Sequence, residues 1–369
     1  MLQRYLLQLI EEMVNKSNSI CTVDLNAISN NVDALQSRCR PGVQQMAVVK
    51  ADAYGHGAVK VAKKVAPQVG WFAVNDIYEA IELRDNGIQK PILVFGVPAE
   101  GEAHLYRKHE ITATVSSSHH FTVLPEGTEY HLNFDTGMNR LGFRAEQSDE
   151  VIELKNNHPE LKCTGIYSHF ATADEPGSKK INQQLELFKQ IRKRFDSSLL
   201  THLCNTAGLI QCPEAQFDLV RTGIGIYGYS PGQVELPELK PAISWETHLV
   251  QVKPIKKSET VSYGAGWTAK EDGFIGVIPV GYADGIPRSL SGDIEVSING
   301  KNYPMAGTIT MNYCMIDLGK KQFKTGTEVY LWNQHHTAKE WADKMDTIPY
   351  EILTNLPRAV QREYNDSQN

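Results

Sequence analysis

The stretch AVVKADAYGHG, residues 47–57, is an apolar β-type run that closes on Lys50 and passes into a turn rich in small residues. A doubly wound α/β sheet would place a glycine-rich phosphate loop at this point, and this segment is not that fingerprint. Working outward, similar short runs recur at Gln45–Lys50, Trp71–Val74, Ile92–Phe95, Ala113–Val115, Tyr130–Phe134, Cys163–His169, His202–Cys204 and Asp218–Arg221. Helical patterns lie between several of them, at Ala58–Ala66, Ile77–Asn86 and Asn182–Phe195. Eight strands alternating with helices over about 200 residues predict a TIM-type (β/α)8 barrel rather than an open sheet.

From about Pro241 the texture changes. Trp245–Val252, Thr260–Tyr263, Phe274–Val280, Ile294–Ile298 and Lys301–Met305 are short strands separated by Gly, Asp and Pro turns. Asn299-Gly300 stands between two of them as a hairpin signal. We therefore expect an α/β chain with a barrel over 19–240 and an all-β domain over 241–369. Thr337–Lys344 reads as a short helix, and the polar Asn365–Asn369 as a frayed end.

The 369 residues carry 37 Lys+Arg against 43 Asp+Glu, a net charge of −6 that argues against a general nucleic-acid binder. No uncharged apolar run approaches the ~20 residues needed to span a bilayer, so no membrane partner is expected. MLQRYLLQLIEEMVNK opens the chain, but Glu11, Glu12 and Lys16 follow too soon for a secretory signal. Its Leu/Ile spacing predicts an N-terminal extension helix over 1–18 and a cytoplasmic protein. Six cysteines without a C-x-x-C pair are expected to be free, buried thiols. The adjacent pairs His119–His120 and His335–His336 point to different sides of any regular element, and no metal is expected.

Barrel active sites lie at the C-terminal ends of the strands. Lys50 closes the first strand, where desolvation would lower its pKa and expose a nucleophilic amine of the Schiff-base type. The fifth strand runs into Asn133-Phe134-Asp135-Thr136-Gly137-Met138-Asn139-Arg140, and the sixth into Tyr167-Ser168-His169-Phe170. Asn205-Thr206 follows the seventh, and Arg221-Thr222-Gly223-Ile224-Gly225 ends the eighth. Hydroxyls and glycine amides on the last two loops are where a barrel holds a phosphate. Pattern alone thus gives a barrel enzyme with a phosphate-bearing cofactor, of which pyridoxal phosphate suits a lysine amine.

AVVKADAYGHG resembles the cofactor segment of the alanine racemase family, and the resemblance continues in order through FDTGMNRLGF, GIYSHFATADE, RTGIGIYG, VSYGAGW and GYADGIPR. It implies a fold-type III enzyme dependent on pyridoxal 5'-phosphate, working as a homodimer with shared active sites on a small amino acid. Lys50 would carry the cofactor and act as one base, and Tyr263 would be the second, reaching the partner subunit's site. Tyr54, Thr206, Gly223 and Ile224 would hold the phosphate, with Asn205 beside them. Arg221 would face the pyridine nitrogen, and His169 would bridge Arg221 and Tyr263. Arg140 and the Met311 backbone would bind the substrate carboxylate, and Tyr282 and Arg288 would line the entrance.

Two bases on opposite faces suffice to move an α-proton from one side to the other. The phenol of Tyr263 needs its pKa depressed by cations, for which His169 and Arg221 are the candidates. Four positions depart from the family pattern. Asn133 stands where a lysine, often carbamylated, is usual, so Arg140 loses an anionic partner that a bound chloride or water would replace. Thr308 and Asn312 replace an arginine and an aspartate, and Arg358 replaces a tyrosine common in some members. These changes make a serine or broad-spectrum racemase the alternative to an alanine racemase supplying D-alanine for peptidoglycan. A non-catalytic carrier of pyridoxal phosphate would not need the domain that bears Tyr263.

Overall fold

The computed structural model describes residues 18–366. The helix expected over 1–18 lies, apart from Asn18, outside the described residues. The chain divides into two compact units, one spanning Leu25–Lys240 and the other Pro241 onward together with the strand β1, Ser19–Asp24.

The first unit contains β2 (Gln44–Val48), β3 (Trp71–Val74), β4 (Ile92–Val94), β5 (Ala113–Val115), β6 (Glu129–Asn133), β7 (Lys162–Tyr167), β8 (Leu200–Asn205) and β9 (Leu219–Thr222). They form one eight-stranded parallel sheet in the order β4-β3-β2-β9-β8-β7-β6-β5. The two ends of that list meet, because Thr112 N donates to Ile92 O at 2.9 Å and Val94 N donates to Thr112 O at 3.0 Å. The sheet is therefore a closed barrel. Strands such as β3 and β4 are buried at every residue, as both faces of a parallel barrel strand require. Helices at Ala58–Val65, Ile77–Asp85 and Lys179–Arg192 occupy the stretches whose periodicity predicts them. Asp76 caps the second of these, its carboxylate accepting from the N–H groups of Tyr78 and Glu79.

The second unit holds β10 (Ile243–His248), β11 (Gln251–Ile255), β12 (Thr260–Val261), β13 (Trp267–Thr268), β14 (Gly273–Ile278), β15 (Glu295–Ile298), β16 (Lys301–Pro304), β17 (Cys314–Asp317), β18 (Glu328–Trp332) and β19 (Gln361–Asn365). A six-stranded sheet runs β16-β15-β18-β10-β1-β19, and a three-stranded one β11-β14-β17. Three differences from the sequence reading have plain causes. β1, expected with the barrel, spends its hydrogen bonds between β10 and β19 of this unit. Trp245–Val252, expected as one strand, breaks at Leu249, where the chain passes from the six-stranded sheet to the three-stranded one. Asn365 pairs in register with Asp24 and so belongs to a strand rather than a frayed end. Asn299 and Gly300, at φ 49° and 72°, make the tight hairpin turn between β15 and β16.

All six cysteines are free; Cys39 and Cys163 are half-buried rather than buried. The core of the second unit gathers Trp245, Trp332 and Trp341, with ring centroids 5.0 to 5.9 Å apart. Each is at most 2% exposed. Replacing Trp332 by Ala should cost about 3–5 kcal/mol through the cavity it leaves. The Nε1–H of Trp332 has no hydrogen-bond partner among the described residues, so Trp332→Phe should cost far less. Urea midpoints of the two variants test the contrast.

Candidate functional site

Lys50 lies one residue, Val49, beyond the end of β2, and the next four residues have left-handed backbones: Ala51, Asp52, Ala53 and Tyr54 at φ 52°, 53°, 53° and 52°. Such a conformation costs an L-residue roughly 1–2 kcal/mol, so the turn must be held from outside. Glu79 does this, one carboxylate oxygen accepting from Ala51 N at 2.6 Å and the other from Asn75 N at 2.7 Å beyond β3. Asp52 accepts from Ala58 N at 2.8 Å, and Gly55 and Gly57 continue at positive φ. Half-buried at the barrel rim, Lys50 has its pKa lowered by desolvation and by the Arg140 charge, against which Glu79 pulls upward.

Arg221, on β9, is 3% exposed and has no carboxylate within ion-pair distance among the described residues. Its guanidinium donates instead to Ser168 O at 2.8 Å, Leu203 O at 3.0 Å, His169 Nδ1 at 3.0 Å and His202 Nδ1 at 2.8 Å. Tyr167 lies with its ring 5.5 Å from the guanidinium carbon and stacks on His202 at 4.7 Å. His202 in turn meets His131, Nε2 to Nδ1, at 2.9 Å. Burial, reinforced by the Arg221 charge, pushes His131 down to about 3 and holds His169 and His202 far below the usual imidazole range. Arg221 itself is pushed down by burial to about 10 and remains the cation. This corrects one expectation: His169 is neutral and supplies no positive charge.

A third group forms where Tyr54, Thr206 and Gly223 converge. Gly223 N donates to Thr206 Oγ1 at 3.0 Å. A Cβ on Gly223 would stand 2.9 Å from the Tyr54 hydroxyl, so the close approach of the two needs glycine. Burial pushes the Tyr54 phenol up, keeping it a proton donor. Asn205 caps the short helix Thr206–Gln211 by accepting from Gly208 N at 2.8 Å, and Ile224 begins the next turn. Arg140 is exposed, with no ion pair among the described residues, and Asn133 is buried. Asp135, nearby in sequence, is engaged by Gly137 N, Asn139 N and Arg144.

The remaining expected residues lie in the second unit. Tyr263 is 72% exposed, on a turn whose entry residue Ser262 has φ 70° and whose hydroxyl donates to Thr308 O at 2.7 Å. Tyr282 N and Ala283 N donate to Thr310 O and Met311 O, both at 3.0 Å. Gly281 permits this approach, since a Cβ there would lie 2.2 Å from Thr310 O. Met311 N is given to no acceptor among the described residues. Tyr282, Met311 and Tyr313 are exposed beside one another in this stitched pair of loops, and Arg288, Asn312 and Arg358 are exposed as well.

Sequence reasoning missed Glu79, His131 and His202. A signal for the last two exists: each of five consecutive apolar strands carries a buried polar residue, Thr114, His131, Tyr167, His202 and Arg221, which is the pattern of an inward-facing polar layer.

Comparison with known proteins points one way. The family models for the N-terminal and C-terminal domains of alanine racemase match residues 23–231 and 242–364. An alanine racemase of Streptococcus equi subsp. zooepidemicus is 38% identical over 361 residues, covering 94% of this chain and 98% of the relative. The solved alanine racemase of Clostridium difficile is similar at a TM-score of 0.90 and 32% identity, over 95% of this chain and 96% of that one. That of Bacillus anthracis with bound L-Ala-P gives 0.87 at 32% identity, over 95% of each chain.

The buried histidines set a pH dependence. An unfolded chain takes up protons on them below about pH 6.5, whereas the folded chain does not. Stability should therefore rise with pH up to about 6.5 and level off above it, each histidine contributing about 1.4 kcal/mol per pH unit on the acid side. Urea midpoints at pH 7.5, 6.0 and 5.0 test this, and His131→Gln should lower the acid-side slope by one such increment.

Proposed function

This chain belongs to the alanine racemase family, and from that premise we propose that it interconverts L- and D-alanine by two-base proton transfer with pyridoxal 5'-phosphate. The observation that carries the reading is a lysine of lowered pKa at the barrel rim together with a buried arginine that has no carboxylate partner among the described residues. The hydroxyls of Tyr54 and Thr206 and the glycine backbone at Gly223, brought together at the barrel rim, are the donor chemistry a phosphate takes. Lys50 would be the attachment point, Tyr54, Thr206, Gly223 and Ile224 would bind the phosphate beside Asn205, and Arg221 and His169 would lie toward the ring. Pyridoxal phosphate, when bound, withdraws electrons from an attached amino acid and so acidifies its α C–H.

The protein's own groups do the rest. Lys50, readily deprotonated because desolvation and Arg140 oppose its charge, takes or returns the proton on one face. Tyr263 of the partner subunit serves the other, and the 72% exposure of Tyr263 in the single chain supports its use by a second copy. A neutral His169 accepting from Arg221 has its other nitrogen protonated and available to donate. Arg221 keeps its own proton and leaves the ring nitrogen it faces without one. A ring nitrogen left unprotonated in this way would limit the electron withdrawal the cofactor supplies and so disfavour transamination. Arg140 and Met311 N–H would receive the substrate carboxylate, with Tyr282 and Arg288 at the entrance. A chloride beside Asn133 would give Arg140 the negative charge that a neutral amide lacks. The D-alanine would serve peptidoglycan synthesis in the cytoplasm.

Proton NMR in heavy water, with L-alanine and L-serine in separate tubes, tests the reading. Loss of the alanine α-proton signal with D-alanine formation is expected; exchange on serine alone would transfer the assignment to a serine racemase. Tyr263→Phe should lower alanine turnover about 10²–10⁴-fold while leaving the visible absorbance of the cofactor-loaded protein in place. Gly223→Ala should raise the cofactor Kd about tenfold or more, because its methyl group meets the Tyr54 hydroxyl. Equilibrium titration with pyridoxal phosphate measures it.

A further inference from the structure

The Arg221 guanidinium carries only donors, so every imidazole nitrogen facing it must present a lone pair. His202 Nδ1, 2.8 Å from Arg221, is therefore an acceptor and the proton of His202 sits on Nε2. That proton points at His131 Nδ1, 2.9 Å away, which must accept it. His131 then carries its own proton on Nε2. Hydrogen-bond polarity thus runs in one direction, from Arg221 through His202 to His131, and protonation of either imidazole would break it.

The chain ends in a group that a merely structural histidine would not leave as it is. His131 Nε2 is buried and has no hydrogen-bond partner among the described residues. The ring is also packed where nothing larger than glycine can face it: a Cβ on Gly165 would come within 2.6 Å of its Cδ2 and Nε2. Trp71 closes the other side at a centroid distance of 5.1 Å. The strand register shifts beside both histidines, between Tyr130 and His131 on β6 and between His202 and Asn205 on β8.

We propose that His131 is a positioning residue: by accepting the Nε2 proton of His202 it fixes the tautomer that receives Arg221, and so fixes the plane of the guanidinium. Its bearing on turnover rests on the racemase reading above; its bearing on the tautomer does not. Without an acceptor at position 131, His202 is free to carry its proton on Nδ1, and Arg221 loses one of its four acceptors. A displaced arginine changes the geometry at the reacting ring, where small misplacements cost on the order of 10²-fold.

The test uses the full chain labelled with ¹⁵N-histidine, with and without pyridoxal phosphate. Long-range ¹H–¹⁵N spectra at pH 7.5 should show His131, His169 and His202 all as Nε2–H tautomers. His131→Leu should shift His202 toward the Nδ1–H form and lower kcat for alanine about 10–100-fold with little change in KM. His131→Gln, whose side-chain carbonyl can accept, should restore the His202 signature and most of kcat. An Nδ1–H tautomer at His202 in the wild-type protein overturns the proposal, whether or not any variant folds. So does a His131→Leu protein with an unchanged His202 signature and kcat within twofold of wild type. Wild-type protein that shows the three tautomers but racemises nothing would instead overturn the racemase reading and leave the relay standing.

Discussion

A guanidinium buried without a carboxylate organises the interior of this barrel. An ion pair is the usual remedy for a buried charge, and Arg221 does without one by collecting four neutral acceptors. Two are carbonyls, of Ser168 and Leu203, which the end of β7 and the register shift in β8 leave out of the strand ladders. The other two are imidazoles, and they qualify only while neutral. Burial beside Arg221 keeps them neutral, and their neutrality lets Arg221 stay where it is. The surrounding layer follows from this: Tyr167 flat against His202, the Tyr167 hydroxyl on Thr114, and His131 behind.

The second constraint is the left-handed run Ala51–Tyr54, which departs from the barrel strand immediately after Lys50. Four consecutive residues in a disfavoured conformation persist only because their surroundings over-determine them. Glu79 grips the first of them and the end of β3 together, while Asp52 ties the turn to the start of the following helix. Glu79 is also the acid that opposes the lowering of the Lys50 pKa. One carboxylate thus shapes the backbone around the amine and moderates its electrostatics.

How far this could be read beforehand depended on whether the signal was local. Barrel strands declare themselves because each is a short apolar run buried on both faces, and the eight fall within two residues of their expected bounds, with β3 and β5 coinciding. The turn at Lys50 was hidden, because Ala-Asp-Ala-Tyr has no local preference for left-handed backbone; the carboxylate that enforces it arrives from Glu79, 28 residues away. His131 and His202 were hidden for a related reason, since each alone reads as an ordinary strand histidine and only their registers bring them to Arg221. β1 was misplaced because a six-residue alternating strand carries no mark of the sheet it joins, and its partners lie more than 200 residues later. Lys50, Arg221 and Tyr263 were legible through the motifs around them.

Cations gather at the rim of the first unit. Burial and the charges of Arg221, Arg140 and Lys50 together lower the affinity of His169 for a proton, and Glu79 is the acid that acts on Lys50. The nearest candidate in sequence, Asp135, is already committed to two backbone N–H groups and to Arg144. Asn133 brings no charge at all. Cations gathered in this way favour anions by long-range attraction before any contact is made. A phosphate and a carboxylate are the two anions that an amino-acid enzyme of this family would bring there. Their arrival would satisfy Arg140 and stabilise the protonated form of Lys50. On this argument the substitution at Asn133 leaves the site more dependent on its ligands for charge balance than a carbamylated lysine would.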